Sequence, residues 1–187
     1  MSWIETSAPS NIALIKYMGK SDSAVNRPTN ASLSWTLENL RTYVRIQKSE
    51  TLTSDQWSAF QRNDLRPIEL SKKGQEKFLN FFTLLKKEFK LSGFYQIESA
   101  NNFPSDCGLA SSASSFAALT KCAHEVYLSE SQLKAKPYTA KELSKLSQKG
   151  SGSSCRSFFS PWGLWHDSGA EDIQLPVKEM LHMVILC

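Results

Sequence analysis

The chain has 187 residues, 41% of them hydrophobic and 21% charged, and these proportions favour a globular domain over disorder, collagen-like repeats or a coiled coil. Its formal net charge is only +4, and the basic residues are scattered along the chain. The sequence therefore does not indicate a nucleic-acid-binding protein, and it favours attraction to anionic small molecules.

Cysteine and histidine spacing argues against a metal site. The four cysteines form no Cys-x-x-Cys pair, and the three histidines have no metal-ligand spacing with them. Residues 1–6 lack the basic and apolar regions of a signal peptide, and no apolar run approaches the ~20 residues that span a bilayer. We expect a cytoplasmic protein with reduced thiols that does not bind membranes.

The first part of the chain predicts strands. Residues 12–15 form a short apolar run. Polar and apolar residues alternate over 32–37 and over 42–47, which is the period of a half-buried strand. Residues 26–30 contain proline and asparagine, so we expect a turn there.

The rest of the chain predicts helices around one further strand. Ser71 can cap a helix that continues at helical spacing to Leu85. The later predicted elements are, in order, a strand over 94–99, a glycine-bearing loop over 101–108, a buried helix over 109–128 and a short polar helix over 141–146. Together these elements predict an α+β fold, in which a mixed sheet packs on helices.

The last eight residues, 180–187, are largely apolar and include no turn or polar tail. Such a segment is typical of a buried strand, and an unpaired apolar strand promotes aggregation. We therefore expect more polypeptide to belong after residue 187. We also expect a truncated C-terminal domain to begin at about residue 180, and the 187-residue chain to self-associate.

Three segments carry residues suited to binding anions. In the first, over residues 10–22, a strand ends in Lys16 and Lys20 around Tyr17 and Gly19. Lysines offer point charges to phosphate, tyrosine a donor hydroxyl, and glycine room for close approach. By itself this pattern is more typical of a solvated strand edge.

The second segment, over residues 101–113, leads through a Pro/Gly loop into a helix with serines in its first turn. The free amides and the dipole of a helix N-terminus attract anions, and serine hydroxyls can contact phosphate oxygens or magnesium. No Gly-Lys-Ser/Thr triplet is present, so this is not a Walker A loop. The pattern is equally compatible with serines that cap the first amides of the helix.

The third segment, over residues 150–157, combines two glycines, three serines and Arg156 in its first seven residues. The glycines expose backbone amides, and the arginine supplies a planar fork suited to a carboxylate or a phosphate. A flexible surface loop is the alternative interpretation. Because such a linker rarely ends in Cys-Arg followed by two phenylalanines, we favour a ligand site.

In order and spacing, the three segments resemble the diphosphomevalonate decarboxylase family of the GHMP-kinase superfamily. The resemblance rests on residues 8–20 with 28–32, on 102–114 and on 150–157. It implies the N-terminal GHMP-type domain of that family. It also implies ATP-dependent decarboxylation of (R)-5-diphosphomevalonate to isopentenyl diphosphate, ADP, phosphate and carbon dioxide, a step of isoprenoid biosynthesis through the mevalonate pathway.

By position, the resemblance implies a role for each segment. Lys16 would favour phosphoryl transfer and Arg156 would hold the substrate carboxylate, so these two are the candidate catalytic residues. The other substrate-binding residues implied are Tyr17, Met18, Gly19, Lys20, Lys77, Ser151, Gly152, Ser153, Ser154 and Cys155. The ATP-binding residues implied are Ser105, Gly108, Leu109, Ala110, Ser111 and Ser112, with Ser112 also a ligand of the Mg²⁺ that ATP carries.

The sequence departs from the family pattern in two residues and in extent. Met18 stands where the family usually has tryptophan. Lys77 stands where a family arginine contacts the substrate phosphates, and lysine cannot form a bidentate fork. The essential aspartate of the family lies in a C-terminal ferredoxin-like half that we expect to be largely absent from these residues.

Two other functions stay open at this point. A related mevalonate-type GHMP kinase or monophosphate decarboxylase would share these segments, although the Gly-Ser-Gly-Ser-x-Cys-Arg signature favours the decarboxylases. A truncated, non-catalytic nucleotide- or phosphate-binding module is an alternative of another class. In each case we expect ATP and Mg²⁺ to bind, no nucleic acid or membrane to be a partner, and the protein to form a homodimer.

Overall fold

The structure is a computed structural model that describes residues 2–22, 26–105, 108–131, 136–176 and 184. It confirms the predicted α+β fold. The strands are β1 (Ile4–Ile15), β2 (Lys20–Asp22), β3 (Arg27–Pro28), β4 (Ser32–Ser49), β5 (Gln56–Ala59), β6 (Arg66–Pro67), β7 (Phe94–Asn101), β8 (Trp162–His166) and β9 (Gly169–Asp172). The helices are α1 (Lys72–Phe89), α2 (Ser111–Glu130), α3 (Ala140–Gly150) and a 3₁₀-helix (Gly152–Phe158).

The long strand β4 organises the sheet. The two strands predicted over 32–37 and 42–47 are one continuous strand of 18 residues. The strand β1 pairs with it antiparallel from end to end, and the register shifts between Pro9 and Ser10. This shift accommodates residues 38–40 of β4, which separate the two alternating segments and which the sequence pattern alone assigned to no strand.

Two strands share the other edge of β4. The strand β7 pairs with residues 42–49 and β8 with residues 32–35, both antiparallel. The strand β5 then pairs parallel with β7, so the sheet is mixed, as predicted. The end of β4 that pairs with β8 is where the site described below lies.

The helix α1 begins where the sequence predicts. The side chain of Ser71 accepts a hydrogen bond from the backbone N–H of Gly74, which satisfies one free amide of the first turn. The predicted apolar positions Phe78, Phe82 and Leu85 are buried in the core. Burial of this apolar stripe against the sheet and α2 stabilises the helix, because most of a helix's stability in a protein comes from the packing of its apolar face.

The helix α2 is buried, as its small residues predicted. Ala113, Ala117, Ala118 and Ala123 have no exposed surface. Their small side chains let β1 come close enough for the hydroxyl of Thr6 to donate to the carbonyl of Ala118, at 3.1 Å. Helix α2 thus runs across the sheet with its first turn at the predicted phosphate loop.

The short polar helix predicted over 141–146 is longer on both sides. A capping box starts α3, since Thr139 accepts from the N–H of Glu142 and the Glu142 carboxylate accepts from the N–H of Thr139. The alternative of a flexible Gly/Ser loop after α3 is wrong, because residues 152–158 form a largely buried 3₁₀-helix. The sequence missed this turn because its glycines and serines favour loops.

The strand and domain boundary expected over 180–187 lie outside the described residues, apart from Val184, which is exposed. Of the helices in the described part of the chain, none has the length and apolar character to cross a membrane.

Candidate active site

Arg156 occupies the centre of the candidate site. Its side chain is buried, and its residue is only 3% exposed. The guanidinium donates to the side-chain oxygen Oδ1 of Asn11 from Nε and Nη2, at 3.3 and 3.2 Å, and to the hydroxyl of Ser32 from Nη1, at 2.5 Å. These partners hold the guanidinium plane in one orientation.

The buried charge of Arg156 has neutral partners only. Among the described residues, no carboxylate lies within 4.0 Å of its guanidinium, whereas the half-buried Arg62 pairs with both Glu5 and Asp64. Burial lowers the pKa of Arg156, because a charge in a low-dielectric setting is disfavoured. A buried cation without a counter-ion is costly to the fold and suited to an anionic ligand.

Close packing on β8 explains how Arg156 is buried. A Cβ atom on Gly163 would lie 3.1 Å from Cβ of Arg156 and 3.2 Å from its carbonyl oxygen. The missing side chain therefore lets the 3₁₀-helix sit directly on the strand. Ser34, which pairs with Gly163 in the sheet, donates to the Gly163 carbonyl on the same side.

Asn11 is a site residue that the sequence analysis did not single out. It is buried in β1, and its amide nitrogen donates to the carbonyl of Ser153 at 3.2 Å and to the hydroxyl of Ser157 at 2.8 Å. Its side-chain oxygen accepts from Arg156, so the single side chain of Asn11 contacts the 3₁₀-helix at Ser153, Arg156 and Ser157. An asparagine directly before the apolar run over 12–15 was the available signal, since an amide that becomes buried needs partners.

Tyr17 and Trp165 form one wall beside Arg156. Their rings meet edge to face with centroids 4.8 Å apart, and the Arg156 guanidinium carbon lies 5.7 Å from the Trp165 ring centroid. Trp165 therefore lies between Tyr17 and the Arg156 guanidinium. Trp165 is completely buried, and nothing in the sequence marked it as part of a site.

The lysine segment turns away from the sheet after Tyr17. Lys16 and Met18 are exposed, and the turn is held by Asn30, which donates to the Lys16 carbonyl and accepts from the Met18 N–H at 2.8 Å. The carbonyl of Gly19 accepts from Thr29. Lys20 begins β2, and its side chain lies outside the described part of the structure.

The serine and cysteine side chains of the third segment divide into a buried pair and a half-buried pair. Ser154 and Cys155 are buried and bonded within the protein: the Ser154 hydroxyl lies 2.6 Å from that of Ser147, and the Cys155 thiol donates to the Gly152 carbonyl. Burial raises the pKa of the Cys155 thiol to about 12, so it stays protonated. Ser151 and Ser153 are half-buried, and their hydroxyls are 3.5 Å apart.

The predicted phosphate loop leads into the N-terminus of α2, where the N-cap residue has no side-chain hydrogen bond to the first turn. Ala110 is the N-cap residue and has φ of 51°, a left-handed conformation that it shares with Gly108, at φ 70°. The hydroxyls of Ser111 and Ser112 make no hydrogen bond to other described residues. The alternative in which serines cap the first amides is therefore wrong, and both amides and hydroxyls are available to an anion.

The phosphate loop is anchored to the sheet by buried hydroxyls. Ser10, beside Asn11 on β1, donates to the carbonyl of Leu109. On β4, Thr42 bonds the hydroxyl of Ser114 at 2.6 Å and donates to Asn101 at 2.7 Å. A further bond from the Asn101 amide to Ser105 completes the support of the loop.

Lys77 lies beside the phosphate loop. A cavity of about 220 Å³ between α1 and α2 is lined by Lys77 together with Ser111, Ser112 and Ser115. The ammonium nitrogen of Lys77 is 5.1 Å from the ring centroid of Phe116 on α2. The structure thus brings Lys77 together with three serines of α2, whereas the resemblance assigned it to the substrate phosphates.

Comparison with known proteins identifies the family. A family model, described as the diphosphomevalonate decarboxylase-like N-terminal domain, matches residues 8–174. The chain belongs to this family. The match includes all three segments predicted to bind anions and also strands β8 and β9, and so it confirms the resemblance drawn from residues 8–157.

Named members of the family are similar in sequence and fold. The diphosphomevalonate decarboxylase of Debaryomyces hansenii is 38% identical over 179 residues, which cover 88% of this chain and 43% of that protein. The crystal structure of a mevalonate diphosphate decarboxylase from Legionella pneumophila is 44% identical, with a TM-score of 0.84 over 96% of this chain and 56% of that one.

A third comparison concerns a structure with bound ligands. It is described as a complex with MVAPP, AMPPCP and magnesium, and it is 32% identical with a TM-score of 0.74 over 92% of this chain and 51% of that one. The chain thus spans about half the length of the relatives it matches. The C-terminal part of the family fold is largely absent from these residues, as expected.

Proposed function

We propose that this chain supplies the phosphate-loop half of an ATP-dependent diphosphomevalonate decarboxylase. The observation that carries the proposal is the Arg156 guanidinium, which is buried with neutral partners only. Ser10 and Asn11 connect this cation to the phosphate loop through neighbouring side chains of β1. A carboxylate on Arg156 and a triphosphate at α2 are therefore held by one rigid strand.

The substrate side of the site is built around Arg156. A substrate carboxylate would accept from the guanidinium, which Asn11 and Ser32 already orient. The diphosphate at the other end of the substrate would meet Tyr17, the turn at Met18 and Gly19, and the cations Lys16 and Lys20. The half-buried hydroxyls of Ser151 and Ser153, with the backbone at Gly152, would complete the substrate contacts.

The nucleotide side of the site is the N-terminus of α2. The ATP phosphates would accept from the free amides after Gly108 and Ala110 and from the Ser111 and Ser112 hydroxyls. Lys77 would add positive charge, since it lines the same cavity. Mg²⁺ would arrive with ATP and contact the Ser112 hydroxyl.

The proposed reaction has two stages. The tertiary 3-hydroxyl of diphosphomevalonate attacks the γ-phosphorus of ATP, losing its proton and releasing ADP. The new phosphate then leaves with its bonding electrons, and the bond to the carboxylate supplies the electrons of the double bond as carbon dioxide departs. Lys16 would stabilise the transferring phosphoryl group, and Arg156 would orient the carboxylate for the second stage.

Separate assays of phosphate and carbon dioxide release test this proposal on the protein joined to its C-terminal half. A decarboxylase releases both in equal amounts from diphosphomevalonate and ATP. Phosphorylated mevalonate without gas would instead identify a mevalonate-type kinase, and ATP binding without either product a binding module. A preference for monophosphomevalonate would identify the monophosphate decarboxylase.

The 187 residues alone provide a second test. The family's essential aspartate, which manages the proton of the 3-hydroxyl, lies in the C-terminal half of the family. We expect these residues to bind ATP weakly, because the donors of the phosphate loop are local, and to release no carbon dioxide above background. Robust turnover by this chain would place the necessary carboxylate within residues 1–187 and would contradict the proposed division of labour.

We also propose a cytoplasmic homodimer. Cys122 and Cys155 are free buried thiols, which suits a reducing compartment. Fractionation of cells that produce the protein tests the compartment. Sedimentation equilibrium over a range of protein concentrations tests the dimer, and a single monomer mass at every concentration would exclude it.

A further inference from the structure

Trp165 touches both residues that would hold the two charged ends of a substrate. The indole lies on β8 with no exposed surface, edge to face with the ring of Tyr17 and 5.7 Å from the guanidinium carbon of Arg156. Tyr17 follows β1 and Arg156 lies in the 3₁₀-helix, so no shared element holds these two residues together. Trp165 is the side chain that spans them.

The indole also fills the space that Gly152 leaves. A Cβ atom at residue 152 would lie 2.8 Å from Cη2 of Trp165, a distance too short for any real side chain. The start of the 3₁₀-helix is therefore packed directly on the far edge of the indole. In this way a single rigid side chain contacts three residues from two of the predicted anion-binding segments.

Packing alone does not account for a tryptophan here. Its Nε1–H is buried and is the one buried side-chain polar atom of the described residues that has no hydrogen-bond partner among them. An unpaired buried donor is unfavourable, and a phenyl ring would fill much of the same space without that donor. The larger indole reaches Tyr17, Arg156 and Gly152 at once, which a phenyl ring at the same position is too short to do.

We propose that Trp165 is a positioning residue that fixes Tyr17 and the Arg156 guanidinium relative to each other. It thereby sets the separation at which a substrate diphosphate and a substrate carboxylate are held. The identity of that substrate rests on the proposed function, whereas the positioning of Arg156 does not. Trp165 acts through its neighbours and need not touch the substrate.

Two variants of Trp165 and one control test the proposal. Trp165→Phe keeps an aromatic ring but shortens it, and Trp165→Leu removes the contact with both neighbours. Trp162→Phe is the matched control, because Trp162 lies on the same strand but packs on Trp35, at 5.7 Å, on the opposite face of the sheet. Both tryptophans are buried, with 8% of Trp162 and none of Trp165 exposed, so both substitutions perturb packing inside the protein.

The first readout needs no ligand. In the ¹⁵N-labelled 187-residue chain, the Nε–H signal of Arg156, assigned by its loss in Arg156→Lys, reports the orientation of the guanidinium. We expect this signal to shift and exchange faster with water in both Trp165 variants, more in Trp165→Leu, and to stay unchanged in Trp162→Phe. If Trp165→Leu does not fold, the Arg156 signal in Trp165→Phe is the test. An Arg156 signal that is unchanged in the folded Trp165 variants would overturn the proposal.

The second readout uses diphosphomevalonate and ATP with the protein that carries its C-terminal half. We expect Trp165→Phe to lower kcat on the order of tenfold, with a smaller change in KM, because orientation is lost more than attraction. Unchanged kcat and KM in this variant would also overturn the proposal. If the wild type turns over no diphosphomevalonate but the Arg156 signal responds to Trp165, positioning stands and the proposed substrate is wrong.

Discussion

Ser10 and Asn11 are adjacent on β1, and their side chains bond two different segments of the candidate site. The Ser10 hydroxyl donates to the Leu109 carbonyl at the phosphate loop, and the Asn11 amide bonds the 3₁₀-helix and Arg156. Side chains of neighbouring strand residues ordinarily point to opposite faces. Ser10 and Asn11 stand where the register of β1 on β4 shifts, and each is buried against a different part of the candidate site.

Arg156→Lys tests the bidentate hold on a carboxylate. Lysine keeps the positive charge but loses the planar fork, so orientation should suffer more than attraction. In the protein with its C-terminal half, we expect turnover to fall by about tenfold or more, with a smaller change in substrate affinity. Arg62→Lys, at the surface, is the control and should be unaffected. Wild-type turnover in Arg156→Lys would remove Arg156 from the site.

Ser112→Ala tests the nucleotide contact. Ser112 is an exposed residue in the first turn of α2, and alanine suits a helix, so folding should be unchanged. We expect weaker ATP binding by calorimetry and lower turnover, because only a hydroxyl near the phosphates is lost. Ser92→Ala, in the exposed connection after α1, serves as the control. Equal ATP affinity and turnover in Ser112→Ala would leave this serine without a role in the site.

Asn11→Asp tests whether the unpaired charge of Arg156 is what attracts the ligand. A carboxylate at this position would lie about 3.2 Å from the guanidinium, where Asn11 Oδ1 now lies, and would neutralise it. We expect the affinity for diphosphomevalonate to fall by roughly tenfold or more, as measured by calorimetry. Asn39→Asp adds the same charge at the surface as a control. Undiminished affinity in Asn11→Asp would mean that the ligand does not use the Arg156 charge.

The burial of His124 predicts that the protein loses stability in mild acid. This buried residue accepts a hydrogen bond at Nε2 from the Tyr138 N–H, and burial lowers its pKa from the ordinary 6.5. The unfolded chain therefore binds the proton more readily than the folded one. The contribution of neutral His124 to the free energy of unfolding is therefore complete above pH 6.5. Below pH 6.5 the free energy of unfolding falls, with a slope of up to about 1.4 kcal/mol per pH unit.

Urea unfolding between pH 7 and 5 measures this effect. We expect His124→Phe to reduce the dependence of the unfolding free energy on pH, because phenylalanine cannot take up a proton. His166→Gln, in the β8–β9 hairpin, is the control for loss of a histidine at a more exposed position. Identical pH dependence in wild type and His124→Phe would show that another group controls acid stability.

The sequence alone located the segments and most of the elements. The cap at Ser71, the buried small-residue helix α2 and the strand β7 follow from local preferences, which the surrounding structure does not override. The order and spacing of the three segments predicted to bind anions indicated the family, which the family model confirms. Each of these features depends on residues close together in the chain.

Only the tertiary structure decided what the strand β4 buries at the site. Alternation there would place the apolar Leu33 and Trp35 inside, but Ser32, Ser34 and Thr36 are the buried residues. Their hydroxyls donate to backbone carbonyls of β1, β8 and the chain just after the 3₁₀-helix, so polar burial is compensated by partners far away in sequence.

The same limit applies to the residues that orient Arg156. Asn11 and Trp165 lie 145 and nine positions away from it, and no local pattern shows that they surround its guanidinium. Lys77 likewise joins the phosphate-loop serines only because α1 packs against α2. Local sequence determines which residue types and elements are available. The contacts that bury the Arg156 charge and leave the Trp165 Nε1–H without a partner among the described residues depend on how distant segments pack.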